Sequence, residues 1–122
     1  MANGQNDNLI GRVPPQNLEA EACLLGSLLI DKDAIVKIAD IVKADDFYLE
    51  SHKIIFEAMV QLYEKRLPID MLSLANRLME INKLEDIGGR SYLVNLTNVV
   101  PSASHVVSYA QITAEKATLR RL

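Results

Sequence analysis

The chain has no tryptophan, one cysteine, two phenylalanines and five glycines in 122 residues, and these shortages exclude several classes of protein. Cys23 cannot close an internal disulfide by itself, which fits a reducing compartment and points to the cytoplasm. No apolar run approaches the roughly 18 residues that a membrane-spanning helix needs. The first eleven residues, Met1 to Gly11, lack a charged stretch followed by an apolar one, so they do not read as a signal peptide. Thirteen bases stand against 16 acids, for a net charge of −3, and this balance shows no basic face of the kind an autonomous nucleic-acid binder carries. There is no G-x-x-x-x-G-K-[ST] phosphate cradle, and Gly88-Gly89 is not part of a G-x-G-x-x-G loop. His52 and His105 stand far apart, outside any metal-ligand spacing.

What is present describes a folded helical domain. Apolar residues make up 49% and charged residues 24%, the balance of a globular chain with one core. Pro14-Pro15 sets an extended approach, Asn17 can cap a helix, and Glu19 and Glu21 fall in the first turn, where the helix dipole favours acids. That helix runs to Ile30, with Leu18, Ala22, Leu25, Leu28 and Leu29 on one side. Asp31 and Asp33 read as a turn before a helix over Ala34–Val42. Leu49–Lys65 is the longest clean helix. Its polar residues Lys53, Glu57, Gln61 and Glu64 share one narrow stripe, which predicts that this helix is the central, buried one. Pro68 ends it, and Asp70 caps the next, with Met71, Leu72, Leu74, Ala75, Leu78, Met79 and Ile81 facing inward. Lys83–Ile87 reads as a turn and Gly88-Gly89 as a hinge. The following helix gathers Tyr92, Leu93, Leu96 and Val100. Ser102 is placed to cap a last helix running to Leu122. No stretch alternates strictly with period 2, so the expected fold is all-α, a compact bundle of five to six short helices.

The last helix has two apolar stripes. Val106, Val107, Ala110, Ala114 and Ala117 share one face; Ile112, Leu119 and Leu122 share another. A terminal helix needs one face to dock on its own domain, so the second stripe points to an absent partner helix, the alternative being a helix set in a deep groove that buries both sides.

Candidate catalytic residues read more simply as structure. His52 is a capping or packing residue, and Cys23 a small side chain at a helix boundary without a nearby base. Asp45-Asp46 is a turn and cap, and Tyr92 a core residue with its hydroxyl at the surface. A small helical DNA-binding domain is the alternative reading, with Lys116, Arg120 and Arg121 on the last helix as its best candidate surface.

The ordered segments Pro14-Pro15-Gln16-Asn17-Leu18-Glu19-Ala20-Glu21, Leu25-Gly26-Ser27-Leu28-Leu29-Ile30-Asp31, Asp46-Phe47-Tyr48 with His52 and Ile55-Phe56, Pro68-Ile69-Asp70 with Leu74, Gly88-Gly89-Arg90-Ser91-Tyr92-Leu93, and Val100-Pro101-Ser102-Ala103 with Tyr109-Ala110 and Leu119-Arg120-Arg121-Leu122 resemble the N-terminal domain of bacterial replicative DNA helicases of the DnaB family. The polar residues 1–12 read as a flexible tail, and the resemblance implies 13–101 as the globular domain and 102–122 as the first arm of a truncated helical hairpin. It also implies a non-catalytic module that pairs with itself to form the collar of a hexameric ring and offers primase a docking surface. ATP and Mg would belong to an absent motor domain, with no cofactor here. DNA would be met through the whole ring, and a helicase loader is a further candidate partner. Partner contacts are expected at Glu19, Tyr92, Ile112, Leu119 and Leu122. The sequence departs from the family at Arg66-Leu67 and at Asn82, where glycine is common.

Overall fold

A computed structural model describes residues 13–122; the tail expected over 1–12 lies outside them. Six helices follow in order: α1 (Leu18–Ile30), α2 (Ala34–Ile38), α3 (Glu50–Glu64), α4 (Met71–Glu80), α5 (Gly89–Asn98) and α6 (Val106–Arg120), with a 3₁₀ turn at Ala44–Asp46 between α2 and α3. No strand occurs among the described residues.

Local chemistry sets most boundaries. The Asn17 side chain accepts the Ala20 N–H at 2.9 Å, and Asp70 accepts the Ser73 N–H at 2.8 Å, so both helices start where a side-chain oxygen satisfies an orphan donor. Asp46 closes the 3₁₀ turn by accepting the Lys43 N–H at 2.8 Å. Gly88 precedes α5 with φ of 108°, a conformation that favours glycine. The two family departures are also explained. Arg66 and Asn82 both take left-handed backbone, with φ of 61° and 59°. Each sits after its helix in a Schellman closure: Leu67 N–H to Leu62 C=O and Arg66 N–H to Tyr63 C=O end α3, and Lys83 to Leu78 with Asn82 to Met79 end α4. The turn is therefore the one glycine would build, held by a residue that adopts it at some cost.

Three expectations are corrected. The central helix is α1, not α3. Helix α1 packs against α2, α3, α5 and α6, and Ala20, Glu21 and Cys23 to Leu28 are all buried. Small side chains on several sides let neighbours close in all round. Gly26 lies so near α5 that a Cβ there would overlap the Leu96 carbonyl oxygen. Leu18, expected inward, is exposed, as are Leu72 and Met79 on α4. Ser102 does not cap α6; it bonds Ser104, and His105 stands at the helix start.

Helix α6 docks through Val106, Ala110, Thr113 and Ala117, all buried, against α1, α2 and the 3₁₀ turn. Its C-terminal end is clamped. Arg120 donates to the Pro15 carbonyl at 2.9 Å and the Asp46 carbonyl at 2.7 Å, with its guanidinium 5.4 Å from the Tyr48 ring centroid. Arg121 pairs with the Asp46 carboxylate at 2.8 Å.

Candidate docking surface

Glu19 and Glu21 are two residues apart and so point to nearly opposite sides of α1. Glu19 is exposed. Together with Asn17, Ala20 and Cys23 of the α1 start, Val99 after α5, and Tyr109 and Ile112 of α6, it lines a shallow groove of ≈ 280 Å³. The structure thus joins Glu19 and Ile112. Leu119 and Leu122 continue the Ile112 side of α6 and remain 44% and 95% exposed, an apolar strip leading out of an acid-edged groove. Sequence reading missed Tyr109 and Cys23 as neighbours of this groove. The signal was there, because Tyr109 lies three residues before Ile112 and Cys23 four after Glu19, the spacings of adjacent positions on a helix face. Burial, reinforced by the Glu19 charge, pushes the Cys23 thiol above its ordinary value, so the groove holds a protonated thiol rather than a nucleophile.

Tyr92 belongs elsewhere. Its hydroxyl is not turned to the surface, as expected, but inward, 2.5 Å from His52 Nε2. His52 Nδ1 faces Glu21 Oε1 at 2.8 Å, and Glu21 also accepts the Tyr48 N–H at 2.7 Å and the Leu49 N–H at 3.4 Å. Glu21 is therefore a buried carboxylate at the start of α3, not an acid on its own helix surface. These partners assign the protons: Nδ1–H donates to the carboxylate, leaving Nε2 to accept the Tyr92 O–H. Phe47 packs edge-on against His52 at 6.5 Å. Three of the motif segments meet in this one network, which ties α1, α3 and α5 together.

Carboxylate, imidazole and hydroxyl stand in the order of a catalytic relay. The hydroxyl here is a phenol that burial, and then the Glu21 charge, push above its ordinary value of 10.0. That direction opposes activation, and the network is structural. It has a pH signature. The folded protein holds the Tyr92 proton after an unfolded phenol has lost it, so its contribution falls with rising pH above about 10. Unfolding free energies of the wild type and Tyr92→Phe should differ by a constant amount, about 1 kcal/mol, at neutral pH. That difference should shrink above pH about 10; a gap unchanged to about pH 11 would overturn the assignment.

Other chemistries find no support in the geometry. Among the described residues no three His, Cys, Asp or Glu side chains converge as a metal site. No described helix is long and apolar enough to cross a membrane. Arg120 and Arg121, the core of the DNA-binding alternative, are turned back onto the protein's own backbone and Asp46, so α6 lacks the multi-cation face that phosphate contacts require.

Comparison with known proteins agrees with the fold and the motifs. Residues 13–115 match the family model of the DnaB-like helicase N-terminal domain. The replicative DNA helicase DnaB of Pasteurella multocida is 46% identical over 112 residues, covering 92% of this chain and 24% of that protein. The replicative DNA helicase DnaC of Bacillus subtilis is 40% identical over 116 residues, covering 95% of this chain and 26% of that protein. The chain thus spans about a quarter of the length of these curated relatives. The crystal structure of the N-terminal domain of DnaB helicase from Mycobacterium tuberculosis superimposes with a TM-score of 0.88 at 41% identity, covering 90% of this chain and 76% of that one. A structure of a DnaB-like replicative helicase and its interactions with primase matches with a TM-score of 0.78 at 30% identity, over 86% of this chain and 25% of that one. Six helices in this order, the Glu21–His52–Tyr92 network built from the motif segments, and these matches lead to one conclusion: the chain belongs to the DnaB-like helicase N-terminal domain family.

Proposed function

We propose that this domain is a non-catalytic assembly and docking module of a hexameric replicative helicase in the bacterial cytoplasm. It pairs with itself in the N-terminal collar and offers primase a surface. The observation that carries the reading is the double character of α6. One face is buried on the domain, while Leu119 and Leu122 stay outward and run from the groove that holds Glu19 and Ile112. An apolar strip of that kind suits a second helix packed as a hairpin and then a second domain. The relative described with primase supports the docking half. In this reading residues 102–122 are the first hairpin arm. Tyr92, on the α5 side, serves a contact separate from the Glu19–Ile112 groove. A helicase loader is a further partner, ATP and Mg act in the motor domain, and DNA is met by the assembled ring.

Analytical ultracentrifugation of this chain beside one extended by about 40 residues tests the pairing. The longer chain should dimerise and the shorter should not. Leu119→Asp in the longer chain should weaken the dimer at least about tenfold, the scale of one buried aliphatic contact replaced by a charge. If both chains stay monomeric at high concentration, the collar reading fails. Calorimetric titration of primase into the extended chain then tests docking: Glu19→Lys should lower affinity, and unchanged affinity would remove Glu19 from the surface.

A further inference from the structure

A second groove, of ≈ 430 Å³, runs between α3 and the chain from α2 to the 3₁₀ turn, and it shares no lining residue with the Glu19–Ile112 groove. Val42 and Phe56, both buried, form its floor with the half-buried Val60. Its rims are acidic on both sides. Asp40 stands on the α2 side. Glu57 and Glu64 stand on the α3 side, seven residues and so about 10 Å apart along the helix. All three are exposed, and among the described residues none of them pairs with a cation. The one base on the rim, Lys43, is turned onto the Ala39 carbonyl at 3.2 Å. Tyr63, 44% exposed, adds an aromatic face at the Glu64 end.

We propose that this groove docks a basic amphipathic helix of a partner protein, with its aliphatic stripe on Val42, Phe56 and Val60 and its Lys or Arg side chains on the two acidic rims. Charge complementarity selects the occupant. Unpaired carboxylates on both sides of an apolar floor favour a cationic, aliphatic partner and repel the phosphates of nucleic acid and of anionic lipid. Backbone chemistry selects its shape. No strand occurs among the described residues, so the groove has no sheet edge to which an extended peptide could add. A helix bonds its own backbone and needs only side-chain contacts. The spacing also fits. Cations seven residues apart on a helix lying along α3 meet Glu57 and Glu64, and an aliphatic residue between them sits over Val60. The arginine pair that ends α6 cannot supply this face from a second copy, because Pro15, Asp45 and Asp46 hold both guanidinium groups.

The test uses the whole 122-residue chain and a fluorescein-labelled helical peptide of about 14 residues, with one leucine stripe and arginines seven apart along each edge of it. A peptide of the same composition, scrambled so that no stripe forms, is the control. The striped peptide should raise the anisotropy and move the amide resonances of Ala39, Val42 and Val60; the scrambled one should do neither. Glu57→Gln/Glu64→Gln should weaken binding about fivefold, the sum of two exposed ion pairs. Glu85→Gln/Glu115→Gln removes the same charge from exposed positions off the groove and should leave affinity within about twofold. Circular dichroism of both variants should match the wild type, since all four acids are exposed. Equal binding of the scrambled peptide, or equal weakening by the two double variants, reduces the attraction to net charge and overturns the proposal. Resonance shifts confined to the Glu19–Ile112 groove also overturn it. Groove resonances of the peptide-free chain that move on dilution overturn it as well, by seating a second copy there.

Discussion

Glu21→Ala is expected to destabilise the domain by about 3–5 kcal/mol, because it leaves three donors without their acceptor. Glu21 and His52 are each 1% exposed, so water does not readily replace the lost carboxylate. The change strands the Tyr48 and Leu49 N–H groups, which precede the first turn of α3, and leaves His52 Nδ1–H without its acceptor. Each orphaned buried donor costs about 1–3 kcal/mol. Against a typical domain stability of about 5–15 kcal/mol, the variant should approach unfolding at physiological temperature. Glu21→Gln keeps one acceptor oxygen and should fall between, near 1–3 kcal/mol. Urea denaturation followed by circular dichroism measures all three proteins. A loss under about 1 kcal/mol for the alanine variant would show that the network does not hold α1 to α3.

Gly26→Ala is expected to cost about 2–3 kcal/mol, although helix propensity alone favours alanine over glycine by about 1 kcal/mol. The opposite signs make the experiment decisive. A Cβ at position 26 overlaps the Leu96 carbonyl oxygen and meets Val100 Cγ2 at 3.3 Å. The first of these is backbone within α5, which cannot rotate away as a side chain can, so α1 and α5 must separate. Leu93 and Leu96, both buried on α5, would lose packing with them. The thermal midpoint should drop by roughly 10 °C for a domain of this size. An unchanged or higher midpoint would mean that α5 shifts without cost and that the close approach is not a constraint.

Most helices were legible because their signals are local. Asn17 and Asp70 cap as their side chains suggest, Gly88 bends the chain before α5, and the apolar spacing places Leu25, Leu28, Leu93 and Leu96 inward. The ordered motifs also carried the family resemblance. Part of the candidate surface was equally open to reading, since Ile112, Leu119 and Leu122 follow from the periodicity of one helix. The grouping of Glu19 with Tyr92 was not, for they sit on different sides of α1. The sequence by itself determined an all-α domain, the capped starts of α1 and α4 and the apolar stripe on α6 that its own domain leaves open. Tertiary structure alone decided that α1 is central, that Glu21 and His52 are buried, that Tyr92 turns inward, and that Arg120 clamps Pro15 to Asp46. The reason is reach. Caps and periodicity act within about four residues along the chain, whereas Glu21 meets Tyr48 across 27 residues, His52 meets Tyr92 across 40, and Arg120 meets Pro15 across 105; the partner of a polar side chain over such spans exists only once the helices have packed.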